Sequence, residues 1–93
     1  MFTIPRVNLI ESDDGYSVET LGRVGLRYAE GDRQMEIDSE IVPSPAAMVV
    51  YKRSIRRWNR PYENEEVDER TRSRIVENIK AAFKFRGFDI ELT

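Results

Sequence analysis

The sequence predicts an α+β fold: a mostly antiparallel sheet of five to six strands, one long C-terminal helix packed on it, and a closing strand. Three observations carry this prediction. Apolar–polar alternation, broken by glycine and aspartate turn signals, fills the first half of the chain. Ile75, Ile79, Ala82 and Phe83 form one apolar stripe at helical spacing. Alternation then returns at Phe88, Ile90 and Leu92. Ninety-three residues are expected to form a single domain spanning 1–93.

The elements follow in order. Arg6–Glu11 alternates around Val7 and Leu9 and is expected as a strand. Asp13-Asp14-Gly15 signals a turn, with the glycine free to take a positive φ. Tyr16–Leu21 alternates again, with Tyr16, Val18 and Thr20 on one face, and should pair with the first strand as a hairpin. Gly22 and Gly25 bracket Arg23 and Val24. Such a pair can clamp a nucleic-acid backbone when it joins two helices, but between strand-like runs it reads as a bend or bulge.

Val24, Leu26 and Tyr28 alternate, Glu30-Gly31-Asp32 turns the chain, and Met35 and Ile37 continue a second hairpin. Pro43 and Pro45 interrupt any strand. Ala46–Tyr51 is a short apolar run expected as a buried central strand. Ile55–Trp58 is expected as a further short strand, with Ser54 at the bend.

The helix carries its own start and stop signals. Asp68 is a good N-cap, and Glu69 follows where the helix dipole favours an acid. Val76 widens the apolar stripe, and Glu66–Arg70 and Asp68–Arg72 have i,i+4 spacing. Lys84 and Arg86 suit the C-terminal end of the dipole. Gly87 at C′ and Phe88 at C″, facing Phe83 at C3, predict a Schellman stop.

Composition narrows the function. The chain has no cysteine, which excludes disulfides, thiol catalysis and zinc–thiolate sites, and no histidine, the commonest general base. The N-terminus lacks the apolar core of a signal peptide, and no run approaches the ~18 apolar residues of a membrane span. A cytoplasmic protein without a membrane partner is expected. The carboxylate pairs Asp13/Asp14 and Asp38/Glu40 lie in turn or loop contexts that would not raise a pKa for acid–base work. Lys52 and Ser54 are two apart, but the lysine sits in a cationic surface segment rather than the apolar pocket a Ser–Lys nucleophile needs. No phosphate loop, nucleotide fingerprint or metal-ligand spacing is present. No catalytic residue, metal or cofactor is expected, and the oligomeric state is left open.

Charge is unevenly spread. Residues 1–51 hold 4 basic and 9 acidic side chains, whereas residues 52–93 hold 11 and 8. Lys52, Arg53, Arg56, Arg57 and Arg60 precede Glu63, Glu65, Glu66, Asp68 and Glu69. These blocks either guide a charged partner or neutralise each other across a loop. Tyr51, Trp58 and Tyr62 interleave with the cations. That mixture suits a protein interface or nucleic-acid binding, or a Trp58 that caps the core while the arginines solvate it. Strand alternation would put Arg56 and Trp58 on one face and Arg57 on the other. The partner-binding residues expected on this basis are Tyr51, Arg53, Arg56, Trp58 and Arg60.

One resemblance adds to this reading. The pattern Tyr28-x-Glu30-Gly31, then Val50-Tyr51-x-x-Ser54-Ile55-x-x-Trp58-x-x-Pro61, then a helix ending Ala82-Phe83-x-Phe85-x-Gly87 and a terminal strand resembles a family of small immunity proteins of bacterial polymorphic toxin systems. The match spans roughly residues 24–93. The resemblance implies a stoichiometric inhibitor that binds a cognate toxin domain, not a catalyst. It supplies no contact residues to carry over. The alternative is a small nucleic-acid-binding module that uses residues 51–62.

Overall fold

In the computed structural model, which describes residues 1–42 and 48–93, successive hairpins build a sheet in simple chain order. The strands are β1 (Phe2–Arg6), β2 (Leu9–Ser12), β3 (Tyr16–Thr20), β4 (Val24–Glu30), β5 (Arg33–Ile41), β6 (Met48–Val50) and β7 (Ile90–Leu92). Each pairs with the next, antiparallel from β1 to β6 and parallel between β6 and β7. The parallel pair is the consequence of α1 (Glu69–Phe85), which carries the chain back before β7 begins. The architecture is α+β, as expected, but with seven strands among the described residues rather than five or six.

The extra strand comes from the N-terminus. Arg6–Glu11 is not one strand, because Val7 and Asn8 form a turn between β1 and β2. Asn8 holds that turn through contacts made with β3. Its Nδ2 donates to the Thr20 carbonyl at 3.1 Å, and its own carbonyl accepts from the Thr20 N–H at 2.9 Å. Val7 is therefore left 80% exposed, and Ile10 rather than Leu9 faces the core. The β2–β3 and β4–β5 hairpins form where expected, with Gly15 and Gly31 at positive φ in their turns. Gly25, also at positive φ, lies at the register shift between Val24 and Leu26, so the Gly-x-x-Gly segment does mark a bulge. Leu26 and Tyr28 are buried, but Val24, beyond that shift, is exposed.

In the apolar run Ala46–Tyr51 the strand covers Met48–Val50, with neighbours β5 and β7 on either side. Tyr51 has left it, and the expectations for Pro43, Pro45, Ala46 and Ala47 lie outside the described residues. Ile55–Trp58 is not a strand. A short 3₁₀ turn over Lys52–Ser54 leads into an irregular stretch in which Ile55 and Trp58 are buried while Arg56 and Arg57 point out. A spacing of three between the buried residues cannot be met by a pleated strand, whose period is two.

The helix matches its signals. Asp68 Oδ1 accepts from the Thr71 N–H at 2.8 Å as N-cap. Ile75, Val76, Ile79, Ala82 and Phe83 are buried. The stop is a full Schellman motif: the Phe88 N–H donates to the Phe83 carbonyl and the Gly87 N–H to the Lys84 carbonyl, both at 2.9 Å. The i,i+4 pairs Glu66–Arg70 and Asp68–Arg72 do not form ion pairs. Arg72 instead pairs with Glu69 at 2.6 Å while its Nε donates to the Ile55 carbonyl at 2.9 Å. The core lies between α1 and one face of the sheet, with Leu26, Tyr28, Met35, Ile37, Val50, Ile55, Ile75 and Ile79 all essentially inaccessible. Trp58 closes this core from the side, its ring 6.4 Å from that of Tyr28.

Candidate functional site

The 51–60 segment is irregular yet firmly held. Ser54 Oγ donates to the Tyr51 carbonyl at 2.6 Å and accepts from the Asp38 N–H at 2.8 Å. The Lys52 N–H reaches the Thr93 carbonyl at 2.8 Å, and the Asn59 N–H reaches the Gln34 carbonyl at 2.7 Å. With Arg72 on the Ile55 carbonyl, the segment is fastened to β5, to Thr93 just past β7, and to α1. The Ser54 hydroxyl is thus committed to structure, and Lys52 is exposed, so this pair offers no activated nucleophile.

This frame separates the expected site residues. Arg53 and Arg56 are exposed and line one hollow of about 510 Å³ with Tyr51, Asp38, Ser39 and Glu40. Tyr51 Oη is 3.4 Å from a Glu40 oxygen. Arg60 stands apart, 92% exposed and paired with Glu63 at 3.2 Å. Trp58 is 4% exposed and belongs to the core, so Arg56 and Trp58 do not share a face. Among the described residues Lys52, Arg53, Arg56 and Arg57 form no ion pair, so Arg60 is the one member of the basic block that pairs with the acidic block, whose Glu65 and Glu69 are taken by Arg33 and Arg72. Neutralisation between the two blocks is therefore local to Arg60–Glu63.

Asp38 and Glu40 were legible only as a loop pair. They stand on β5 instead, at the hollow's acidic wall. The signal was present in the alternation of Met35 and Ile37, which sends Glu36 and Asp38 to the opposite face.

A second charged network lies where β4 meets α1. Glu30 accepts from Tyr28 Oη at 2.8 Å and from Arg74 at 3.0 and 2.7 Å, and Asn78 donates to Tyr28 Oη at 2.9 Å. Burial pushes the Tyr28 phenol far above its ordinary value. Burial alone would raise the Glu30 carboxyl, but the Arg74 and Tyr28 donors outweigh it and hold the pKa below the usual glutamate value. Both Glu30 oxygens and the Tyr28 hydroxyl are satisfied by these donors, which describes a tie between sheet and helix. Beside it, Arg33 forks onto Glu65 at 2.7 and 2.8 Å and lies 4.2 Å above the Tyr62 ring.

A cavity of about 300 Å³ opens under the C-terminal end of α1, lined by apolar side chains such as Ile10, Val18, Met48, Phe83 and Phe88. Among the described residues its only titratable lining side chain is Arg86, whose guanidinium donates to the Val7 carbonyl at 2.7 Å. No group of three or more potential metal ligands occurs among the described residues, and no helix there is long and apolar enough to cross a membrane.

The family model described as Immunity protein 74 matches residues 19–93. The chain belongs to this immunity protein family. No curated protein and no solved structure matches it. The family match begins in β3 and takes in the whole β4–β7 sheet, the 51–60 segment and α1, and leaves β1 and β2 outside. Membership in the Immunity protein 74 family gives the chain an immunity role in general terms, and with it a toxin as partner.

Proposed function

We propose that this immunity protein acts in the cytoplasm by binding one cognate bacterial toxin domain and blocking it stoichiometrically, without turnover, and that the exposed edge around Tyr51, Arg53 and Arg56 is part of the contact. The observation that carries the second half is the pairing pattern. Arg6, Arg27, Arg33, Arg60, Arg72 and Arg74 are each matched to a carboxylate, whereas among the described residues Lys52, Arg53, Arg56 and Arg57 have no ion pair, and of these four Arg53 and Arg56 share the hollow with Tyr51 on a fastened segment. Arginines presented on a rigid frame lose little further freedom on binding and are over-represented among interface hot spots.

Nucleic acid suits the same segment less well. Its stacking candidate Trp58 is buried, and carboxylates stand beside the free arginines, where they would repel phosphates. The test expresses the gene next to this one and asks whether its product is toxic and binds this chain. Co-expression of the wild-type chain should restore growth, and Arg53→Glu/Arg56→Glu should weaken binding by ~30-fold or more, the equivalent of ~2 kcal/mol. Equal affinity of that double variant would remove the arginines from the contact. No complex with the wild-type chain would remove the immunity mechanism itself.

A further inference from the structure

Among the described residues the face of the sheet turned away from α1 is left uncovered, and acids outnumber bases on it, with Glu11, Glu19, Glu36, Asp38, Glu40 and Glu91 against Arg6 and Arg27. Register fixes what stands there. Arg6, Leu9, Glu19, Arg27 and Glu36 lie opposite one another across β1–β5, and Glu40, Val49 and Glu91 do so across β5–β7. Glu11 and Asp38 project from the same side, because the residues flanking them in β2 and β5 alternate with buried Ile10 and Ile37. None of these side chains is buried. Arg6 and Arg27 converge on Glu19 at 2.7 and 3.4 Å, and Glu36 has Arg27 at 3.6 Å. Glu11, Asp38, Glu40 and Glu91 have no ion pair among the described residues.

A second observation lies where this face meets the hollow. The β4–β5 bulge sets Ser39 in the hollow's wall, 4% exposed, and its Oγ has no hydrogen-bond partner among the described residues. Buried polar atoms are normally partnered. Ser39 is paired with buried Val50 and stays in phase with Met35 and Ile37, so its hydroxyl lies on the core side, and the groups β5 offers on the uncovered face are the carboxylates of Glu36, Asp38 and Glu40.

We infer that the uncovered sheet face, centred on Glu36, Asp38 and Glu40, docks a basic protein surface, that of the cognate toxin domain, with Arg53 and Arg56 at its rim. This rests on the immunity reading above and names the partner's chemistry. Charge complementarity selects the occupant. A second copy of this chain would set carboxylates against carboxylates across a two-fold axis, and a nucleic acid would set phosphates against them. A lysine- or arginine-rich surface supplies opposite charge and donors together. Four unpaired carboxylates on one face also steer such a partner over distance, and steering shows in the association rate and its salt dependence.

The experiment measures association of the toxin domain identified by that co-expression test, inactivated by mutation, with the wild-type chain and with Glu36→Lys/Asp38→Lys/Glu40→Lys. At low salt the triple variant should associate at least ~10-fold more slowly, and its rate should depend less steeply on salt. A neutral set, Glu36→Gln/Asp38→Asn/Glu40→Gln, should fall between the two, and it carries the comparison if the lysine set fails to fold. An unchanged or faster rate, or an unchanged salt slope, with the wild-type complex intact would overturn the docking face alone. No wild-type complex would overturn this and the immunity mechanism together.

Discussion

Trp58 sits against Tyr28 with 4% of its surface exposed, and its neighbours Arg56 and Arg57 are in solvent. Adjacent side chains on this irregular stretch therefore have opposite energetic roles. Removing a buried tryptophan costs ~3–5 kcal/mol, because the lost transfer free energy is compounded by the cavity left behind. For a domain this small each kcal/mol moves the melting temperature by ~4–8 °C. Trp58→Ala should thus melt more than ~10 °C below the wild type by circular dichroism, while Arg56→Glu should stay within ~4 °C, as exposed substitutions do. Equal melting temperatures for Trp58→Ala and wild type would take the ring out of the core. Ile79, fully inaccessible on α1, gives a harsher version of the same contrast: Ile79→Asp buries an unpaired charge and should leave too little stability for a folded chain.

The helix shows what kind of information is local. Its cap and its stop each depend on residues within five positions of each other and its stripe on a step of three to four, so Asp68, Ile75, Gly87 and Phe88 announce themselves in the sequence. Gly87 isolates one term of that stop. Its φ is +87°, and a Cβ added there would meet nothing within 4 Å. Gly87→Ala should therefore cost only backbone strain, ~1–2 kcal/mol, with helix content unchanged and a melting temperature lowered by ~4–16 °C. A melt indistinguishable from wild type would mean that the helix stops without help from a left-handed residue. The elements that the sequence hid depend on distant partners. The Val7–Asn8 turn is held by Thr20, and β6 and β7 pair in parallel only because α1 intervenes. The 51–60 path is fixed by Gln34, Asp38 and Thr93. The site divided in the same way. The basic cluster was visible as a run in the chain. The acidic wall opposite it needed the β5 alternation and the bulge to bring Asp38 and Glu40 beside Arg53 and Arg56.

Across the whole molecule, the charge pattern sets a stability window with two edges of different origin. On the acid side, Arg6 beside Glu19 and Arg33 beside Glu65 hold both carboxyls below the ordinary 4.5, and the Thr71 N–H holds Asp68 below 3.8. Glu30 is lowered as well, its burial outweighed by Arg74 and Tyr28. A carboxyl whose folded pKa is depressed stabilises the fold at any pH above its unfolded value, and that contribution is lost as pH falls through the folded one. On the alkaline side Tyr28 has the reverse sign. Its raised phenol contributes fully below the ordinary value of 10.0, and the contribution is lost as pH rises above it. The chain has no histidine to titrate between these edges. The melting temperature should therefore be nearly level from about pH 6 to 9, fall below about pH 4.5, and fall again above about pH 10. Tyr28→Phe separates the edges. It should lower the plateau, because Glu30 and Asn78 each lose a hydrogen-bond partner, yet it should flatten the alkaline fall while leaving most of the acid one. An alkaline limb of the same depth in Tyr28→Phe would assign that edge to other groups and show that the phenol ionises as readily in the folded chain as in the unfolded one.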